Sequence, residues 1–156
     1  MPLNTTTNTS SSAEQYMLDA TAIIHENGLI PVSMMKCFDQ DLDWEEYWHA
    51  KEVMVKWSES GKKLMPNSWH AAKYPPYGQR GVTIYVCNCK WFWRDSVPRG
   101  ELDDMERILK QECGSNRSGW VWSKKWQKGF NVVPTEWFEP RVKKDKPICP
   151  PSCLTF

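Results

Sequence analysis

Residues 82–90 constrain the fold most, because they have the pattern of a buried β-strand and carry two of the chain's six cysteines. Successive side chains of a strand point to opposite faces of the sheet. Cys87 and Cys89 are therefore predicted to share one face, where their separation does not suit a mutual disulfide, so each is expected to bond a different partner. The two faces carry Val82, Ile84 and Val86 on one side and Thr83, Tyr85, Cys87 and Cys89 on the other.

A helix and a second strand are predicted to follow. The helix is expected over residues 98–112, with Ser96 as the capping hydroxyl and acidic residues near its positive end. Gly114 stands where a left-handed residue would end it. The second strand is predicted at residues 120–123. One apolar stripe of the helix is formed by Leu102, Met105, Leu109 and Cys113.

Two further helices are predicted before residue 82. The first covers residues 13–26, where apolar residues recur at helical spacing. The second covers residues 43–60, whose aromatic and aliphatic side chains form one broad face. An alternative divides this segment into a short helix and a strand at residues 52–57, because Val53 and Val55 are β-branched.

These elements predict an α+β fold, in which helices cover a small antiparallel sheet in two layers. A single domain is expected over residues 13–139, after a disordered polar leader at residues 1–12. Residues 140–156 contain four prolines and are predicted to be an irregular tail, tied down by its two cysteines. Residues 64–81 are predicted to be a loop, because prolines and glycines punctuate them. One more strand or wrapping segment is expected after Trp122.

The charge distribution argues against nucleic acid as a partner. Residues 1–60 carry 10 acidic and 3 basic side chains, whereas residues 115–156 carry 3 acidic and 8 basic ones. The basic side chains of the second region are too scattered to form a nucleic-acid-binding surface. No run of about 18 apolar residues occurs, so no membrane span is predicted. The first 30 residues lack the basic start and apolar core of a secretion signal.

The even number of cysteines predicts a disulfide framework, for which fifteen connectivities are possible. A zinc site made of four thiolates is the less favoured alternative, because Cys-x-Cys inside a strand suits a zinc loop poorly. Three glycosylation sequons begin at Asn4, Asn8 and Asn116 and favour secretion over an intracellular chain with reduced thiols. No metal and no cofactor is predicted. The expected disulfide residues are Cys37, Cys87, Cys89, Cys113, Cys149 and Cys153.

The ten tryptophans are several times the usual share and allow two interpretations. Most tryptophans pack in a core, but exposed indole faces also stack on sugar rings and other flat apolar ligands. The pairs at 91 and 93 and at 120 and 122 have the two-residue spacing that places each pair on one side of a sheet. The candidate binding residues are Trp69, Tyr74, Tyr77, Trp91, Trp93, Trp120, Trp122 and Trp126.

Two histidines are candidates for acid–base chemistry if the protein is an enzyme. His49 and His70 both lie among aromatic residues, and His49 follows Glu45 and Glu46 at spacings that allow a carboxylate to orient it on a helix. No motif marks a nucleophile, and no glycine-rich phosphate loop occurs. A surface or core-edge position is the more common role for such histidines.

Three features of the chain together resemble a loose group of small secreted cysteine-rich proteins of filamentous fungi. They are the strand Ile84-Tyr-Val-Cys-Asn88, a helix that ends at Cys113-Gly114, and the segment Gly119-Trp-Val121 followed by Trp126. The resemblance covers residues 82–130. It implies a secreted, disulfide-bonded α/β module of the effector-like or killer-toxin-like kind, most of which have no assigned catalysis.

The favoured function is therefore a cysteine-stapled, tryptophan-rich interaction protein without catalysis, secreted and effector-like or toxin-like. Its expected partner is a small molecule, a glycan or a host protein. The first alternative is binding of a carbohydrate or flat apolar ligand through exposed tryptophans. The second is a cofactor-independent enzyme with a tryptophan-lined pocket and His49 or His70 as the acid or base.

Overall fold

The computed structural model describes residues 29–150 and Cys153 of the 156-residue chain. The predicted leader at residues 1–12 and the predicted helix at residues 13–26 lie outside the described residues. In the described part, no helix has the length and apolar character needed to cross a bilayer. The elements are β1 (Met34–Asp41), α1 (Trp44–Glu59), β2 (Ser68–Tyr74), β3 (Val82–Asn88), α2 (Arg99–Cys113), β4 (Arg117–Ser123), β5 (Lys128–Pro134) and α3 (Thr135–Lys143).

The five strands form one antiparallel sheet in the order β1-β4-β5-β3-β2. With three helices packed on it, this sheet confirms the predicted α+β fold. The strand or wrapping segment expected after Trp122 is a strand, β5, and it lies at the centre of the sheet. The edges are β1 and β2.

The two faces of β3 are occupied as its alternation predicts. Val82, Ile84 and Val86 belong to the larger core, on what we call the first face of the sheet, where α1 packs on β2 and β3 and α2 packs on β4. Tyr85 and Cys87 belong to a smaller core on the second face, together with Phe138 of α3. Burial on both sides explains why every residue of β3 is buried.

Helix α1 is continuous, so the interpretation with a strand at residues 52–57 is wrong. The Asp43 carboxylate caps the helix by accepting a hydrogen bond from the Glu46 N–H at 2.9 Å. Helix α2 ends at Gly114, whose φ of 92° is in the left-handed region, as predicted. Its start differs from the prediction, because Pro98 is the N-cap and no side chain caps the helix there.

Three segments differ from the sequence predictions. Residues 64–81 were predicted as a loop, but they contain β2, which pairs with β3 along its whole length. β1 was not predicted and pairs with β4. Helix α3 runs through Pro140 into the predicted irregular tail. The proline removes one backbone hydrogen bond and is unfavourable inside a helix, but Phe138 packs this helix on the second face of the sheet. Residues 144–150 contain no helix or strand.

All six cysteines form disulfides. Cys37 of β1 is bonded to Cys113 at the end of α2. Cys87 and Cys89 bond separate partners, as predicted for two cysteines on one face of a strand. Those partners are Cys149 and Cys153, so two bonds attach the tail to the second face of the sheet.

Candidate functional site

An open cavity of about 670 Å³ lies on the second face of the sheet. We call it the aromatic cleft. Its volume is within the range of pockets that hold small ligands. Its lining comes from four strands, from residues that follow β3 and β4, from α3 and from the tail: Met34, Phe38, Tyr85, Cys89, Trp120, Trp122, Lys124, Gln127, Asn131, Trp137, Pro147, Ile148, Cys149 and Pro150.

The register of the sheet builds the floor of the cleft. Trp120 of β4 stands opposite Asn131 of β5, which in turn stands opposite Tyr85 of β3. Trp122 stands opposite Met34 of the edge strand β1. Because side chains two residues apart on a strand share a face, this pairing aligns the two indoles with the tyrosine and the amide.

The tail forms one wall of the cleft and is fixed in place by three contacts. The disulfides Cys87–Cys149 and Cys89–Cys153 attach it to β3 and to the residue that follows β3. The Tyr85 hydroxyl donates a hydrogen bond to the Ile148 carbonyl oxygen at 2.6 Å. Burial raises the pKa of Tyr85, so its phenol stays protonated and remains a donor.

The opposite wall is Trp137 of α3. Its indole lies 6.5 Å from the Phe38 ring, centroid to centroid. The Arg141 guanidinium covers the Trp137 ring at 4.1 Å and donates a hydrogen bond to the Trp137 carbonyl oxygen at 2.9 Å. The cation–π contact and the hydrogen bond together fix the orientation of this indole.

Asn131 is the buried polar group of the floor. Only 4% of the residue is exposed, and its Nδ2 donates to the Tyr85 carbonyl oxygen at 3.2 Å. Its Oδ1 accepts no hydrogen bond from the residues that the structure describes. A side-chain amide has acceptor capacity on that oxygen. The cleft therefore offers one acceptor at its floor, while Lys124 and Gln127 supply exposed polar groups at its mouth.

The structure separates the predicted binding residues into several places. Trp120 and Trp122 line the cleft, whereas Trp69 packs edge-on against Phe138 at 5.7 Å. Trp126 is half-buried against the larger core. Tyr74 stacks on His49, Tyr77 is 75% exposed, and Trp91 and Trp93 lie on an exposed loop after β3. Among the cleft residues not singled out from the sequence are Met34, Phe38, Asn131 and Trp137.

Neither candidate histidine lines the cleft. His49 of α1 stacks on Tyr74 with ring centroids 4.4 Å apart, and Glu46 pairs with Arg80 at 3.1 Å. His70 of β2 stacks on Trp57 at 3.9 Å. These contacts belong to the interface between α1 and β2. Among residues 29–150 and Cys153, no group of three histidine, cysteine or acidic side chains is placed to hold a metal ion.

The stacked position of His70 predicts a pH dependence of stability. Burial lowers its pKa below the ordinary value of 6.5, and the charge of Lys62 lowers it further. Protonation therefore favours the unfolded chain: stability is full above pH 6.5 and falls as the pH drops through the folded-state pKa.

The test compares the wild type with His70→Phe, which keeps an aromatic ring against Trp57 but does not titrate. Melting temperatures measured from about pH 7.5 to about pH 5 are expected to fall less in the variant. Equal slopes in the two proteins would show that His70 is not the group responsible.

Comparisons with protein-family models, with curated proteins and with solved structures found no match to this chain. The resemblance to small secreted fungal proteins therefore stays a prediction.

Proposed function

We propose that this protein is a secreted, disulfide-stapled binding protein whose aromatic cleft takes a small ligand with a flat apolar face and a hydrogen-bond donor. The observation that carries the proposal is the cleft itself, where two indoles of β4 and one of α3 line the same cavity as one buried amide. Sugar rings and planar aromatic compounds share the required chemistry, and the experiment below distinguishes them.

The walls favour stacking of the ligand. Indole faces bind the apolar face of a pyranose or an aromatic ring, and their rigidity limits the entropy lost on binding. Trp120 and Trp122 come from one strand and Trp137 from a helix held by Arg141. A ligand between them contacts aromatic surface on two sides.

The buried amide favours a ligand with an O–H or N–H group. A ligand that reaches Asn131 Oδ1 replaces water as the donor, whereas a purely apolar ligand leaves this oxygen without a partner. Sites of this kind select for the donor, because an unpaired buried polar group costs free energy.

Three disulfides support the secreted location, since such bonds persist mainly in oxidising compartments. Asn116, which begins one sequon, is exposed in the turn before β4 and is open to modification. We expect protein secreted by its native host to show no free thiols under denaturing, non-reducing conditions. Six free thiols would contradict the secreted location.

The binding test uses soluble cell-wall glycans in one arm and planar aromatic metabolites in the other, followed by isothermal titration calorimetry. For whichever class of compound binds, Trp120→Ala is expected to weaken the affinity by about tenfold or more, because stacking on one indole is lost. Asn131→Leu is expected to weaken the binding of ligands that have a hydrogen-bond donor and to leave the binding of analogues without that donor unchanged.

Trp93→Ala is the matched control, because Trp93 is 70% exposed outside the cleft. Its affinity is expected to equal that of the wild type. A ligand whose binding depends on Trp93 and not on Trp120 would place the binding site elsewhere. Acid–base catalysis by His49 or His70 gains no support from the cleft, because the lining contains neither residue.

A further inference from the structure

The loop between β3 and α2 presents three consecutive aromatic side chains to solvent. Trp91 is 56% exposed, Phe92 is 79% exposed and Trp93 is 70% exposed. We call them the aromatic tip. Met65, 54% exposed, belongs to the neighbouring segment before β2. Contiguous exposed apolar surface of this kind is uncommon on a soluble domain and is typical of a site that binds a protein, a membrane or a ligand.

Hydrogen bonds and an ion pair hold the loop that carries the aromatic tip. Asn88, almost fully buried, donates through Nδ2 to the Trp93 carbonyl oxygen at 2.8 Å and to the Met65 carbonyl oxygen at 3.1 Å. Leu64 and Asp95 exchange backbone hydrogen bonds of 2.7 and 2.9 Å. Lys90 pairs with Asp95. The loop is therefore held in a shape that displays the aromatic rings.

Exposed basic side chains lie on the segments next to the aromatic tip. The Leu64–Asp95 bridge brings the segment before Leu64 alongside this loop. The Cys89 N–H donates to the Gln127 carbonyl oxygen at 2.9 Å, which brings the turn between β4 and β5 to the same end of the sheet. The basic residues of these three segments, which we call the basic rim, are Lys62, Lys63, Arg94, Lys124 and Lys125.

The carboxylates near the base of the loop are already paired. Asp95 contacts both Lys90 and Lys128, and Glu101 contacts Lys128 at 2.6 Å. They are thereby neutralised locally, and the five basic side chains of the rim outnumber the one exposed carboxylate, Glu59, of the segment before Leu64. This end of the molecule combines exposed aromatic rings with exposed basic side chains.

We propose that this end of the molecule docks on an anionic phospholipid bilayer, with the aromatic tip in the interfacial region and the basic rim against the lipid headgroups. Tryptophan favours the membrane interface, where its ring is buried and its N–H stays hydrogen-bonded. Basic side chains around an apolar insertion add attraction to negatively charged headgroups. A protruding tip suits a soft planar surface better than a small ligand, which needs a concave site.

The test is co-sedimentation of the full chain with phosphatidylcholine vesicles that contain about a third phosphatidylserine, and with pure phosphatidylcholine vesicles. The wild type is expected to bind the anionic vesicles at least about tenfold more strongly, with binding that weakens as salt is added. The triple variant Trp91→Ser, Phe92→Ser, Trp93→Ser and the double variant Lys62→Glu, Lys63→Glu are each expected to lose most of this binding.

The matched control is Trp44→Ser with Trp48→Ser, which removes two exposed indoles from α1, away from the aromatic tip. It is expected to bind vesicles as the wild type does. Absence of wild-type binding to anionic vesicles, or undiminished binding by the correctly folded triple variant, overturns the proposal. Equal loss in the control also overturns it, because that result indicates non-specific adsorption. Trp120→Ala is expected to bind vesicles normally, so this result is independent of the ligand proposed for the cleft.

Discussion

Replacing Lys128 by methionine is expected to lower the free energy of unfolding by about 3–5 kcal/mol, the usual cost of removing one partner from a buried ion pair. Lys128 is 1% exposed, and its ammonium lies 2.6 Å from Glu101 and 3.1 Å from Asp95. The variant leaves both carboxylates without this cation. Urea unfolding followed by circular dichroism measures the loss.

The pH dependence of this variant provides a further check. Burial raises the pKa of Glu101 even with Lys128 present, although the lysine opposes that effect. Without the lysine the pKa rises further, so the folded variant binds protons more readily than the unfolded chain. The variant is therefore expected to recover stability relative to the wild type as the pH falls toward the range in which Glu101 protonates.

Lys90→Met is the matched control for Lys128→Met. Lys90 also pairs with Asp95, but its side chain is 19% exposed, and Asp95 keeps its contact with Lys128 in this variant. A loss of about 1 kcal/mol or less is expected. Equal losses from the two substitutions would contradict the account of Lys128 as the central cation of a buried network.

Removing the Cys37–Cys113 disulfide by a double substitution to serine is expected to destabilise the fold by about 4 kcal/mol, because the unfolded chain gains the freedom of a long loop. The bond joins residues 76 apart in sequence and attaches the edge strand β1 to the end of α2. Thermal unfolding under non-reducing conditions measures the effect. The aromatic cleft is expected to keep its ligand affinity below the lowered melting temperature.

Removing the Cys87–Cys149 disulfide by the same kind of double substitution tests whether the tail contributes to ligand binding as well as to stability. The residues are 62 apart in sequence, so the entropic cost is similar, again about 4 kcal/mol. This bond, however, holds the tail that forms one wall of the cleft. The Cys87→Ser, Cys149→Ser variant is therefore expected to lose affinity as well as stability. Equal affinity in the two double variants would contradict the role given to the tail.

β3 and β4 were predicted as strands and β5 as a strand or a wrapping segment, whereas neither edge strand was predicted. β3 is buried on both faces, so its apolar alternation was plain, and the separate partners of Cys87 and Cys89 followed from strand geometry. β1 and β2 each pair on one side only, and each has exposed or half-buried positions along most of its length. Their apolar patterns are weak because fewer positions of an edge strand have to pack in a core.

The cleft was only partly predictable. Trp120 and Trp122 were identified because their two-residue spacing places them on one side of a strand. Phe38, Asn131 and Trp137 join them through strand order, register and the position of α3, none of which a local pattern specifies. The wall formed by the tail depends on which cysteines pair, and fifteen connectivities fit the sequence equally.

The most direct test of the proposed function observes the indole N–H groups themselves. Ten tryptophans give ten signals in a two-dimensional nitrogen–proton spectrum, and single tryptophan-to-phenylalanine variants assign them. Addition of a binding glycan or aromatic compound is expected to shift the signals of Trp120, Trp122 and Trp137 and to leave those of Trp91 and Trp93 in place. Shifts confined to Trp91 and Trp93, or no shift in the cleft signals with any compound of either class, would contradict the proposal that the aromatic cleft is the binding site.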